Sequence, residues 1–290
     1  MWFAVRPVTT WQSLFIGLLQ GATELFPVSS LGHAVLLPAI LHWNFNEKDP
    51  QFVPFLTLLH LGTATGLLIL FWREWVDIIR GFFASALRGR IEHPNERMAM
   101  LLLVGTVPLA ILGTFLQTPI EGLFARPVYA AVFLFVNGLI LLATEWLRRR
   151  RERSHAAADE REAEFKQAGE ISFRAAAIIG IAQSLAFLPG ISRSGVTISG
   201  GLFAGLRHDA AAKFSFLLAT PAIAGAGLVE VPKLAGSGAP LGTYVVAAIL
   251  GGIAAYLSAR FLVRYFRSGR LDPYGYYCLA VGAIAFVILR

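Results

Sequence analysis

The chain has 290 residues and a formal net charge of +7; 56% of it is hydrophobic and 15% charged, against about 25% charged in an ordinary soluble domain. With 25 basic and 18 acidic residues it cannot coat a globule of this length, so a water-surrounded enzyme is excluded and much of the exterior faces lipid. The basic excess does not signal nucleic acid either, because the sequence carries no basic patch interleaved with aromatic residues.

In chain order, the first forty residues lack the layout of a removable signal peptide, since Gln20, Glu24 and Pro27 interrupt the apolar run; they read as mature protein. Residues 11–41 are apolar but broken by Pro, Gly and Ser, which predicts a re-entrant helical hairpin that enters the membrane and returns. Charge-free stretches then predict spans at 55–72, 98–116 and 128–147, each near the length that crosses a bilayer. The run RRRRERSHAAADEREAEFKQAGE mixes both signs without apolar periodicity and reads as a cytoplasmic linker over 148–172, or an extended helix end. A second broken apolar segment at 173–206 predicts another re-entrant hairpin, and spans follow at 214–229, 241–263 and 273–289.

The expected fold is an all-α integral membrane protein, a single membrane domain over 1–290 with six transmembrane helices and two re-entrant hairpins. Five Lys or Arg fall within 73–97 and eight within 148–174, which places those connections in the cytoplasm and both termini outside. Only two entering-and-returning hairpins keep the basic loops on one side. Phe71, Trp72 and Trp75 are expected in an interfacial belt, and Glu145 and Arg260, near cytoplasmic span ends, are expected to snorkel. Cys278 is the single cysteine, so no disulfide or thiolate cluster forms within one chain. The stretch GGIAAYLSA, Gly251 to Ala259, permits close helix packing within the chain or between two copies in a homodimer.

The two broken segments resemble each other. GLLQGATELFPVSSLG, from Gly17, aligns with GIAQSLAFLPGISRSG, from Gly180, at a constant offset of 163 residues, matching Gly17, Gln20, Leu25, Ser29 and Gly32 to Gly180, Gln183, Leu188, Ser192 and Gly195. Three spans follow each copy, which inverts the second half (about 173–290) relative to the first (about 8–147), the layout of transport folds with discontinuous helices meeting near the midplane.

Chemistry concentrates at that meeting point. Glu24 lies four residues after Gln20 on one helical face, followed by Pro27, Ser29, Ser30, Gly32 and His33; the second copy supplies Pro189, Gly190, Ser192, Arg193, Ser194, Gly195 and Thr197. A helix start with hydroxyls and an Arg is an anion site, and the carboxylate can hold a divalent cation or act as a base. The plainer readings are a structural ion bridge between Glu24 and Arg193, serines that cap helix ends, and packed, hydrogen-bonded side chains for His60 and Asn137. A phosphate site at membrane depth suggests a lipid phosphate.

QGATELFPVSSLGH and LPGISRSGVT together closely resemble the paired signatures of the bacterial undecaprenyl-diphosphate phosphatase family, the bacitracin-resistance proteins, and the resemblance extends over essentially the whole chain. It implies a bacterial inner-membrane enzyme that hydrolyses a polyprenyl diphosphate, with divalent-metal dependence (Mg²⁺ or Ca²⁺) and an active site opening to the extracytoplasmic side. Residue by residue, it makes Glu24 the essential acid, Ser30 the proposed nucleophile, His33 a proposed proton donor and Arg193 the phosphate-binding arginine. Gln20 falls where the family has Glu or Gln, so Glu24 and Gln20 are the metal candidates. Gln20, Ser29, Gly190, Ser192, Ser194, Gly195 and Thr197 are expected to line the substrate. A water activated in place of Ser30 stays open, as does a lipid-phosphate transporter or flippase built on the same inverted repeat.

Overall fold

A bilayer forces each spanning segment to satisfy its own backbone, and the computed structural model is helical wherever it has regular structure among its described residues, 9–43, 50–124, 126–156 and 168–290. The first half contains Thr10–Thr23 (α1), Ser30–Ile40 (α2), Phe52–Leu70 (α3), Trp72–Arg88 (α4), Pro94–Phe124 (α5) and Pro127–Ala156 (α6). The second contains Phe173–Ala182 (α7), Arg193–Phe203 (α8), His208–Glu230 (α9), Leu241–Tyr265 (α10) and Asp272–Leu289 (α11). Short 3₁₀ turns lie at Ala168–Glu170, Gln183–Phe187 and Val231–Leu234.

Among the described residues, six helices are long and apolar enough to cross a membrane: Phe52–Leu70, Pro94–Phe115, Pro127–Arg151, His208–Leu234, Leu241–Tyr265 and Asp272–Leu289. Each falls on one of the six expected spans. Residues 148–156 of the expected linker continue α6, and 157–167 lie outside the described residues.

One helix was not foreseen. Phe71 leaves helical geometry at the end of α3, and α4 begins at Trp72 within what reads as a charged connection. It is amphipathic: Ile78, Gly81 and Ser85 are buried, while Ile79, Phe83 and Leu87 face outward. Charges on its flank interrupt the apolar run, so a search for charge-free stretches passes over it. Gly89, at φ +69, closes the helix in the left-handed region. Of the expected aromatic belt, Trp72 is exposed, but Phe71 is buried and Trp75 half-buried.

Glycines bring the helices to backbone contact. A Cβ on Gly21 of α1 would sit 1.9 Å from the Gly251 carbonyl oxygen of α10, and one on Gly66 of α3 would sit 2.4 Å from that of Gly252. The adjacent glycines of α10 thus serve opposite neighbours inside the chain. In the second half, Gly180 of α7 meets Gly105 of α5 in the same way, at 2.4 Å.

Glu145 overturns an expectation. Instead of snorkelling it is 1% exposed, accepts a bond from Leu271 N at 3.0 Å and pairs closely with His208 Nε2. Arg148 Nη1 donates to His208 Nδ1 at 2.8 Å. Proximity to a span end fixes depth along the helix but not the face a side chain occupies, and Glu145 faces inward. Arg260 is exposed, as snorkelling requires.

Gly21→Ala is expected to lower stability by about 1–3 kcal/mol through overpacking, read as a fall in melting temperature in detergent. Gly225→Ala, where nothing lies within 4 Å of the added carbon, should leave the melt unchanged; equal melts for both would contradict this packing.

Candidate active site

Pro27 has no N–H to continue α1, and it disfavours helical geometry at the residue before it. The chain turns over residues 24–29, with Glu24 as the C-terminal cap of α1 and Ser29 as the N-cap of α2. Ser29 sits at φ +66, unusual for a residue with a side chain, and its Oγ accepts from Gly32 N at 3.2 Å. Ser30 therefore opens α2 beside the carboxylate.

The second turn is built alike. Gly190 has φ +108, and a Cβ there would lie 2.4 Å from the Ala130 carbonyl oxygen of α6; a Cβ on Gly32 would lie 2.9 Å from Gly190 Cα. Only glycines let the two turns meet this closely. Ser192 caps α8 by accepting from Gly195 N at 3.1 Å, which leaves Arg193 as the first residue of that helix.

Asn137 of α6 ties the turns together. Its Nδ2 donates to the Pro27 carbonyl at 2.9 Å and its Oδ1 accepts from Ser192 N at 3.0 Å. Ser194 Oγ adds a bond to the Phe26 carbonyl at 3.0 Å and touches Ser192 Oγ, also at 3.0 Å. Backbone groups freed by the chain breaks thus find side-chain partners across the two turns, as burial demands.

At the centre is Glu24, 6% exposed. Its Oε1 accepts from Arg193 Nη2 at 2.7 Å. Its Oε2 accepts from Ser30 Oγ at 2.5 Å and Gln20 Nε2 at 2.8 Å, and lies 3.2 Å from His60 Nε2. Four side chains, from α1, α2, α3 and α8, thus share the carboxylate of the α1 cap. Two buried atoms in this group have no partner, Gln20 Oε1 and Arg193 Nη1. An unpaired buried polar atom costs about 1–3 kcal/mol, more near charge, so an orphaned acceptor and an orphaned guanidinium nitrogen on two of the Glu24 partners call for a functional explanation. A purely structural Arg–carboxylate bridge favours two parallel bonds. Here the second carboxylate oxygen is committed elsewhere.

The other expected site residues sit around this group rather than in it. Ser29, Ser192 and Gly195 form the caps; Gly190 packs on α6; Ser194 is anchored to the Phe26 carbonyl. Thr197 Oγ1 turns to the Arg193 carbonyl at 2.8 Å and to Ser215 Oγ of α9 at 2.5 Å. His33 Nδ1 donates to the Ser29 carbonyl at 2.7 Å, and its Nε2 lies 2.8 Å from the Tyr277 hydroxyl, so both ring nitrogens are engaged away from Glu24. His60 is the residue that sequence reasoning set aside: a lone imidazole in an apolar span was visible, but nothing local linked it to Glu24.

The donor set bears on a metal. Among the described residues no group of three or more His, Cys, Asp or Glu is arranged to hold one. Glu24 Oε1 and Oε2, Gln20 Oε1 and Ser30 Oγ are all oxygens, which suits a hard cation that draws its remaining ligands from phosphate and water. The chain fits such an ion in partnership with a phosphorylated ligand.

The family model described as bacitracin resistance protein BacA matches residues 13–284. The chain is 44% identical over 284 residues to a protein of Acidiphilium cryptum named undecaprenyl-diphosphatase, covering 96% of this chain and 97% of the relative. A Mycolicibacterium paratuberculosis protein of the same name is 44% identical, covering 96% of each. An undecaprenyl-diphosphatase 2 of Frankia alni is 40% identical, covering 98% of each.

Asn137→Ala leaves the Ser192 N–H without its Asn137 acceptor and the Pro27 carbonyl with only the weak Cys278 thiol donor at 3.8 Å, an expected loss of about 1–3 kcal/mol, seen as a lower melting temperature. Asn137→Asp keeps an acceptor for Ser192 but opposes a carboxylate to the Pro27 carbonyl, and should melt no higher than the alanine variant. A wild-type melt for either would sink the role given to Asn137.

Proposed function

The chain belongs to the bacitracin resistance protein family, and from that premise we propose that it hydrolyses undecaprenyl diphosphate to undecaprenyl phosphate and inorganic phosphate, recycling the lipid carrier for cell-wall synthesis and conferring bacitracin resistance. The observation that carries the reading is the junction of Glu24, Ser30 and Arg193 from two separate turns, with Arg193 Nη1 buried and without a hydrogen-bond partner.

Arg193 binds the terminal phosphate through Nη1, and draws on the rest of its guanidinium as charge develops in the transition state; phosphoryl transfer is mostly positioning and electrostatics. Ser30 Oγ already points its proton at Glu24 Oε2. It attacks the terminal phosphorus in line, Glu24 takes the proton, and the bond to the bridging oxygen breaks, releasing undecaprenyl phosphate. Water then attacks phospho-Ser30 and the Ser30 Oγ–phosphorus bond breaks; Glu24 returns its proton to Oγ, accepts one from the water and loses it to solvent or to the departing phosphate, which restores the carboxylate. A divalent cation, Mg²⁺ or Ca²⁺, supplies charge neutralisation at the phosphate oxygens when bound, and Glu24 with Gln20 Oε1 would hold it. His33, bonded to the Ser29 carbonyl, orients the Ser29–Ser30 turn in this scheme.

The two broken segments act as re-entrant hairpins of an inverted repeat. With 14 and 11 residues, α1 and α2 are about 21 and 16 Å long, short of the roughly 30 Å hydrocarbon core. Residues 163 apart do the same work in both copies: Gly17 and Gly180 pack on α10 and α5, and Ser29 and Ser192 accept from Gly32 and Gly195 at 3.2 and 3.1 Å. The basic connections lie in the cytoplasm, and both termini and the site's opening face the other side of the bacterial plasma membrane.

Purified protein in detergent is expected to release phosphate from a polyprenyl diphosphate, with loss on adding chelator and recovery with Mg²⁺ or Ca²⁺. Glu24→Gln and Arg193→Ala should each lower kcat by about 10²–10³. Ser30→Ala should abolish turnover, and acid-quenched wild type should carry phosphate on Ser30; turnover retained in Ser30→Ala would transfer the attack to a water activated by Glu24. Lipid movement without phosphate release would replace the hydrolase by a carrier.

A further inference from the structure

His60 belongs to neither turn. It projects from α3, a span packed on α10 at backbone distance through Gly62 and Gly66, and therefore reaches the site from a rigid element. Its Nδ1 lies 2.7 Å from the Leu56 carbonyl one turn back. A carbonyl and a carboxylate both only accept, so each ring nitrogen carries a hydrogen, the ring is an imidazolium, and its plane is fixed by the Leu56 bond. The fixed ring directs Nε2 at Glu24 Oε2, 3.2 Å away. That oxygen is the one Ser30 addresses; Arg193 holds the other.

We propose that His60 is a positioning residue that holds Glu24 Oε2 against the Ser30 hydroxyl, a contact joining a transmembrane helix to the carboxylate shared by the two turns. This rests on the hydrolase reading above. Gln20 at the end of α1 and Ser30 at the start of α2 approach Oε2 from the segment that carries Glu24, whereas Arg193 pulls on Oε1 from α8. Without His60, Oε2 keeps only these two bonds from within residues 20–30 among the described residues, and the carboxylate can rotate toward the guanidinium. The loss falls on proton removal from Ser30 rather than on substrate binding, because Arg193 Nη1, buried and without a partner, is not bonded to His60 or Glu24.

Three variants separate positioning from mere packing. His60→Gln places an amide nitrogen near the position of Nε2 and keeps a donor toward Glu24. His60→Asn is one bond shorter and reaches only toward the Leu56 carbonyl, and His60→Ala removes both donors. Phosphate release from a polyprenyl diphosphate, with melting measured in the same detergent, should give the Gln variant a kcat within about threefold of wild type and the Asn and Ala variants a kcat lower by roughly tenfold to a hundredfold, the range for a hydrogen bond to a charged group. KM should stay within about twofold throughout, since the binding groups are untouched. Wild-type kcat in His60→Asn would overturn the proposal, as would a Gln variant as impaired as Asn, or a rise in KM at unchanged kcat. Because Gln and Asn differ by one methylene, their comparison stands even if the alanine variant fails to fold. Absence of phosphate release by wild type would overturn the hydrolase reading itself.

Discussion

A carboxylate withdrawn from water inside an apolar bundle is expensive, and it persists only where donors surround it. Glu24 meets that condition through donors it cannot supply from its own segment alone: Gln20 and Ser30 come from the first turn, His60 from α3 and Arg193 from the second turn. Its ionic contact with Arg193 is therefore also the bond between the two broken segments. Asn137, the Ser194 link to the Phe26 carbonyl and the glycine contact between Gly32 and Gly190 all hold the two turns at the separation this contact requires.

The two broken segments share one local design but carry different side chains. Each ends a first arm at a proline-containing turn, places a serine as N-cap and lets that serine accept from a glycine three residues on. The residue after the cap is then presented at the start of a helix, and at that position the first segment has Ser30 and the second Arg193. A hydroxyl and a guanidinium thus arrive at one carboxylate from equivalent backbone positions. Their partners have diverged too, since Gln20 bonds Glu24 while Gln183 donates to the Gly105 carbonyl at 2.7 Å.

How much of this was legible depended on whether the signal was local. The six apolar helices followed from charge-free stretches, because a chain excludes every charge over that length chiefly where lipid surrounds it. Both turns followed from Pro, Gly and Ser, whose backbone effects act within a few residues, and the cap serines behave as their spacing to glycine suggests. Helix α4 escaped because its charges lie on one flank while its buried face is only Ile78, Gly81 and Ser85. Glu145 was misplaced because depth along a helix was read as exposure. His60 and Asn137 read from sequence as packed, hydrogen-bonded side chains, as Asn137 is, but their partners were not legible, since Glu24 and Ser192 lie far from them in sequence and only the packing of α3 and α6 brings each pair together.

Chain breaks at this place also explain why the site is not built from through-going helices. A continuous span satisfies every interior N–H and C=O with its own backbone and leaves none to orient a side chain. Breaking two segments frees the Phe26 and Pro27 carbonyls and the Ser192 N–H, and these groups fix Ser194 and Asn137, which in turn fix where Ser30 and Arg193 stand. The liability of unsatisfied backbone in lipid thereby becomes the means of setting side-chain geometry. Arg193 Nη1, buried and without a hydrogen-bond partner, belongs to the same guanidinium whose Nη2 bonds the Glu24 carboxylate.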